Sequence, residues 1–138
     1  MPSSAEKVDF TGLTANLIPT YWAEVEPLLK PALTSGETIQ TVLGHLMLRT
    51  AQLWIAATPD RIEAAFVTEI YVRGGTKYCN IWLAGGRGLN NWIHHLGTIE
   101  AWAKEQGCDA MIVEAARRGW QRIMKDYKVK TVALTKEL

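Results

Sequence analysis

At Gln52 the spacing of apolar residues switches from a helical repeat to alternation, and this switch constrains the fold more than any other feature of the chain. "QLWIAAT" runs to the turn signal Pro59-Asp60, and "RIEAAFVTEIYV" follows with Ile62, Ala64, Phe66, Thr68, Ile70 and Val72 on one face. Gly74-Gly75 makes the next turn, into "KYCNIWLA". Three such runs joined by two short turns spell an antiparallel meander.

Helical patterns flank the meander. Ile18, Tyr21, Trp22, Val25, Leu28 and Leu29 repeat at helical spacing, with Pro19 suited to a first turn and Pro27 and Pro31 set to shorten or kink the helix near its end. After Ser35-Gly36, the residues Ile39, Val42, Leu43, Leu46 and Met47 form a second stripe, with Glu37 and Thr38 at its amino end, where a cap and a negative charge suit the helix dipole. Residues 1–15 read as a loose N-terminus, without a first strand. Downstream, Trp92, Leu96, Ile99 and Ala103 share a helix face that Gly107 ends; "AMIVEA" reads as a buried strand; Trp120, Ile123, Met124 and Tyr127 mark another helix; and "KTVALTKEL" closes as a strand. A strand, helix, strand unit after a meander implies a mixed α+β sheet, its third and fourth strands parallel through a right-handed crossover and helices on both faces.

Length and composition set the class. One domain spanning residues 1–138 is expected, with 48% hydrophobic and 21% charged residues in the ordinary globular range. The net charge is +1 and the longest basic run is Arg117-Arg118, which argues against nucleic acid as a partner. No apolar stretch approaches the roughly 20 residues of a membrane span, and "MPSSAEKVDF" lacks the pattern of a secretory leader. Cys79 and Cys108 match no zinc, redox or disulfide-scaffold spacing. A soluble cytoplasmic protein is the expectation.

Between strand and helix lies "LAGGRGLNNW", residues 83–92. Glycines here either supply the dihedrals of a sharp turn or let a phosphate approach backbone N–H groups at a helix amino end, with Arg87 adding a charge-assisted contact. Together with "QLWIAAT", "AAFVTEI", "IWLAGG", "IEAWAKEQGCDAMIVEAARRGW" and "LTKEL", the order of elements from Gln52 to Leu138 resembles the GNAT superfamily of acyl-coenzyme A dependent N-acetyltransferases, in particular the short GNAT-like proteins of tailed phages and prophages.

The resemblance implies a GNAT-like fold and acetyl-CoA or another acyl-CoA as co-substrate. It places the pyrophosphate on the loop after the central strand, at Leu83, Gly85, Gly86, Arg87, Gly88, Leu89 and Asn90. Gly86-Arg87-Gly88 supplies the Gly-x-Gly of the family pattern, whereas Leu83 stands where that pattern has Gln or Arg. In the last helix Met124 falls on the position of the family's tyrosine acid and Arg117 on that of its asparagine; Tyr127, one turn on, is the nearest tyrosine but shares the apolar stripe of Trp120 and Met124.

Transfer to an amine needs the neutral amine, so a carboxylate near the acceptor is expected to take its proton. Glu69 in "VTEIYV" and Glu114 in "MIVEA" interrupt apolar strand sequence, where a carboxylate is costly unless paired or functional; Glu69 is the first candidate, and its alternation also fits a solvent face. His45, His94 and His95 have no metal-ligand spacing, and no metal is expected. Cys79 reads as inert packing and most of the six tryptophans as core, with Trp102 off its helix stripe. Two functions fit: an N-acyltransferase acting on a small-molecule or peptide amine, or a catalytically inactive GNAT-like phage protein that binds a virion or host partner, in the host cytoplasm or the virion. A homodimer is left open.

Overall fold

The computed structural model describes residues 8–34, 36–87, 95–113 and 136. Its elements are β1 (Asp9–Leu13), α1 (Ile18–Leu29), a 3-10 turn (Lys30–Ala32), α2 (Ile39–Met47), β2 (Gln52–Ala57), β3 (Ile62–Arg73), β4 (Thr76–Gly86), α3 (Leu96–Glu105) and β5 (Ala110–Val113). They build one mixed sheet in the order β1-β2-β3-β4-β5, antiparallel up to β4 and parallel between β4 and β5. The expected α+β class, the meander and the parallel step are all present. The expected last helix and closing strand fall outside the described residues.

β1 corrects the expectation of a loose stretch through residue 15. Its sequence, DFTGL, has two partly buried apolar residues, Phe10 and Leu13, too few to reveal a strand. Tertiary contacts make it one. Phe10 stacks on Trp54 at 5.8 Å and on His95 at 4.7 Å between ring centroids, and Gly12 lies against the Trp54 ring.

The two faces of the sheet bury separate cores. α1 and α2 cover one, where Ile18, Val25, Leu29, Val42 and Leu46 pack on Leu53, Ile55, Ala65, Val67 and Leu83. α3 covers the other, where Leu96, Ile99 and Ala103 meet Trp54, Phe66, Cys79 and Ile81. Each fully buried aliphatic side chain contributes about 1.5–3 kcal/mol. α2 begins at Thr38, whose hydroxyl accepts from the Thr41 N–H at 3.2 Å, while Met47, on the predicted stripe, is exposed. One buried polar chain crosses the second core: the Trp54 indole donates to the Thr68 hydroxyl at 3.0 Å, and that hydroxyl donates to the Gln52 side-chain oxygen at 2.9 Å.

Two bulges break the alternation. Ala56 pairs with Ala64 but Ala57 with Ile62, so Glu63 is the extra residue of β3. That corrects the single face expected for Ile62 to Val72: Ile62 joins the α1/α2 core, whereas Ala64 and Phe66 face α3. In β4, Val67 pairs with Leu83 but Thr68 with Ile81, leaving Trp82 as the extra residue. Trp82 and Leu83 therefore both turn toward α1 and α2.

Candidate functional site

The glycine-rich end of β4 is built against the protein itself. A Cβ on Gly85 would stand 1.9 Å from the Leu28 carbonyl oxygen, so this glycine exists to let the last turn of α1 touch the sheet. Gly86, at φ +148°, lies so close to the β3 bulge that a Cβ would meet the Glu63 oxygen at 2.4 Å and the Ala64 Cα at 2.5 Å. The Arg87 N–H donates to that same Glu63 oxygen at 3.0 Å, and its guanidinium donates to the Ile62 carbonyl at 3.2 Å, with the Glu63 carboxylate 3.7 Å away. Leu83 is buried in the α1/α2 core. At Leu83, Gly85, Gly86 and Arg87, four of the positions expected to face a phosphate, the backbone space, an amide or the side chain is engaged by the fold. Gly88, Leu89 and Asn90 lie outside the described residues, as do Glu114 and Tyr127.

A second group of side chains gathers at the β4 bulge, on the α1/α2 face. Glu69 pairs across the ladder with Asn80, and the Asn80 amide donates to its carboxylate at 3.0 Å. By strand alternation both point to the side opposite Thr68 and Ile81. Trp82 projects to the same side, and its indole N–H donates at 2.8 Å to Glu37 in the loop between α1 and α2. His45 of α2 meets the Trp82 ring edge to face at 5.7 Å. Asn80 is fully buried, while Glu69, Trp82 and Glu37 are half-buried.

The two carboxylates differ in their surroundings. Desolvation, the largest single influence on Glu37, pushes its pKa up, but hydrogen bonds from the Thr34 N–H, the Trp82 indole and the Thr34 hydroxyl together outweigh it. The Glu37 carboxyl therefore lies below its ordinary 4.5 and is an anion at neutral pH. Glu69 has its Asn80 bond on one oxygen, which leaves acceptor capacity for a proton or an N–H. Cys79, buried on β4, has its thiol pushed to about 12, first by burial and then by Cys108 nearby, so it is no nucleophile at neutral pH. Among the described residues no cluster of three or more His, Cys, Asp or Glu could hold a metal ion, and no helix is long and apolar enough to cross a membrane.

The sequence singles out Glu69 but not the residues grouped near it. Glu37 reads as a helix-dipole residue, yet it bonds across 45 positions to Trp82. The run Ile81-Trp82-Leu83 carries a usable signal: three bulky apolar residues in succession cannot alternate, which marks a bulge or a strand buried on both sides.

No protein-family model and no curated protein matches the chain. Solved structures do. An aminoglycoside acetyltransferase from an uncultured soil metagenomic sample, in complex with sisomicin, superposes with a TM-score of 0.68 at 13% identity over 95% of this chain and 96% of that one. A predicted acetyltransferase with acetyl-CoA from Clostridium acetobutylicum gives 0.67 at 16% identity over 96% of each chain. A GNAT family acetyltransferase from Staphylococcus aureus subsp. aureus USA300_TCH1516 gives 0.64 at 14% identity over 95% of this chain and 98% of that one. The mixed five-stranded sheet with its helices thus matches the fold of these acetyltransferases over nearly the whole of each chain, and this chain has a GNAT-like fold.

Proposed function

We propose that this chain is an acyl-CoA dependent N-acyltransferase acting on a small-molecule or peptide amine, with the row at the β4 bulge as its acceptor side. The observation that carries the reading is that Asn80 and Trp82 on one face of β4 hold two carboxylates, Glu69 of β3 and Glu37 of the loop before α2, beside the point where β4 leaves its described pairing with β5 at Ile81 and Val113. In this reading Glu37, held ionised, attracts a cationic amine, and Glu69, oriented by Asn80, takes its proton. The neutral nitrogen then attacks the thioester carbon, the new C–N bond forms as the C–S bond breaks, and the nitrogen gives up its surplus proton while the leaving thiolate takes one up, so that the amide and the free thiol result. Backbone amides of Gly88, Leu89 and Asn90 are the remaining candidates for the pyrophosphate.

The test is a thermal shift with acetyl-CoA followed by an acetylation assay on a panel of amines that includes sisomicin. Ligand at about 100 times its dissociation constant adds about 2.7 kcal/mol to stability. Glu69→Gln should keep that shift and lower turnover by about 100-fold or more. Absence of any shift at millimolar acetyl-CoA rejects the reading. One observation favours a second: Gly85, Gly86 and Arg87 are engaged by the fold itself, which accounts for these three residues without a ligand. On that reading the chain is a GNAT-fold protein of phage origin that binds a virion or host partner without catalysis.

A further inference from the structure

At the end of the sheet opposite Gly86, where β1 stops and β2 starts, a cavity of about 630 Å³ opens between the loop at 13–16, the end of α2, the first residues of β2 and α3. That is within the range of sites that hold a small organic molecule, roughly 300–1,000 Å³. Ile18, Leu46 and the indoles of Trp54 and Trp102 give it an apolar lining, the two rings meeting edge to face at 5.3 Å between centroids. Gln52 and Arg49, whose side chains carry hydrogen-bond donors, are among its lining residues. The Gln52 oxygen already accepts from Thr68, so its amide N–H groups are what it has to offer. Among the described residues no ion pair or side-chain hydrogen bond engages Arg49.

The backbone of Arg49 is the independent observation. It is the one non-glycine among the described residues with a positive φ, +64°. It follows the end of α2 in a Schellman motif: its N–H donates to the Leu46 carbonyl at 3.2 Å and the Thr50 N–H to the His45 carbonyl at 3.0 Å. α3 ends in the same motif, with the N–H groups of Gly107 and Cys108 donating to Lys104 and Ala103, and there the left-handed residue is glycine. The fold asks for glycine at 49 and holds an arginine. A strained position that breaks a local rule at the rim of a cavity points to a ligand.

We propose that this cavity binds a small organic carboxylate with an apolar or aromatic body, the carboxylate on Arg49 and the Gln52 amide and the body against Trp54 and Trp102. One guanidinium balances one negative charge, which suits a carboxylate better than a phosphate monoester carrying nearly two. Leu48 and Leu17, chain neighbours of the lining residues Arg49 and Ile18, are 76% and 44% exposed and add apolar surface beside them in sequence. The assignment does not depend on the acyltransferase reading.

The test is a titration of the isotope-labelled full chain with 3-phenylpropionate, followed at the indole N–H signals of Trp54 and Trp102, each assigned by its Trp→Phe variant. Saturable shifts of both signals are expected, with 3-phenylpropanamide and 2-phenylethyl phosphate binding about 10-fold or more weakly, the scale of one charge-assisted contact. Arg49→Gly should weaken 3-phenylpropionate by a similar factor while raising the melting temperature, so loss of binding cannot be loss of fold. The proposal is overturned by indole signals that stay unmoved, by a phosphate that binds more tightly than the carboxylate, or by an Arg49→Gly variant that binds like the parent or melts lower.

Discussion

Gly85→Ala tests whether the glycines after β4 serve packing or a ligand. The added methyl would stand 1.9 Å from the Leu28 oxygen and 2.9 Å from its carbon, and ordinary contact begins at 3.4 Å, so α1 or β4 must move by about 1.5 Å. Neither partner yields easily, because both are backbone and α1 is anchored through the buried Val25 and Leu29. Overpacking of this kind costs about 1–3 kcal/mol. At about 4 °C per kcal/mol for a chain of this size, the melting temperature should fall by about 4–12 °C. Gly44→Ala is the control: Gly44 lies inside α2 with nothing within 4 Å of an added Cβ, and alanine there should gain about 0.5–1 kcal/mol. Urea unfolding with matched m-values measures both. A Gly85→Ala variant within about 0.5 kcal/mol of the parent would refute the packing account and return Gly85 to the phosphate reading.

Thr68→Val should cost about 1–3 kcal/mol in urea unfolding, because it strands the buried Trp54 indole N–H and removes the donor to Gln52. Glu37 has a folded-state pKa below 4.5, so the stability it contributes is present above pH 4.5 and is lost as pH falls through the folded value. The stability difference between parent and Glu37→Gln should accordingly shrink in acid; a constant difference from pH 7 down to pH 3 contradicts the assignment. The Cys79 pKa moves the other way, from 9.0 to about 12, so its contribution is full below pH 9 and is lost as pH rises toward 12. In the native protein at pH 8 Cys79 should resist a thiol reagent that labels it once urea unfolds the chain, and rapid native labelling would overturn that picture.

What the sequence discloses depends on how local the cause is. The stripes of α1 and α2, the turns at Pro59-Asp60 and Gly74-Gly75 and the left-handed Gly107 are each set by neighbours in the chain, and each is where periodicity and turn chemistry place it. β1 is not legible, because its stabilisation comes from Trp54 and His95, far away in sequence. Nor are the bulges at Glu63 and Trp82, which answer to the partner strand rather than to their own strings. The candidate site divides the same way. Glu69 stands out as a charge in an apolar strand, whereas the bond from Trp82 to Glu37 and the packing of the end of α1 on Gly85 join residues far apart in the chain.

Among the described strands the sheet skips none: each strand's neighbour in space is its neighbour in the chain. β2, β3 and β4 are joined by turns of a few residues, so bringing them together closes only short loops, while β1 and β5 must wait for whole helices to be laid between. Among these five strands assembly can therefore spread outward from β3, one neighbour at a time, with no described strand having to be threaded between two others already paired.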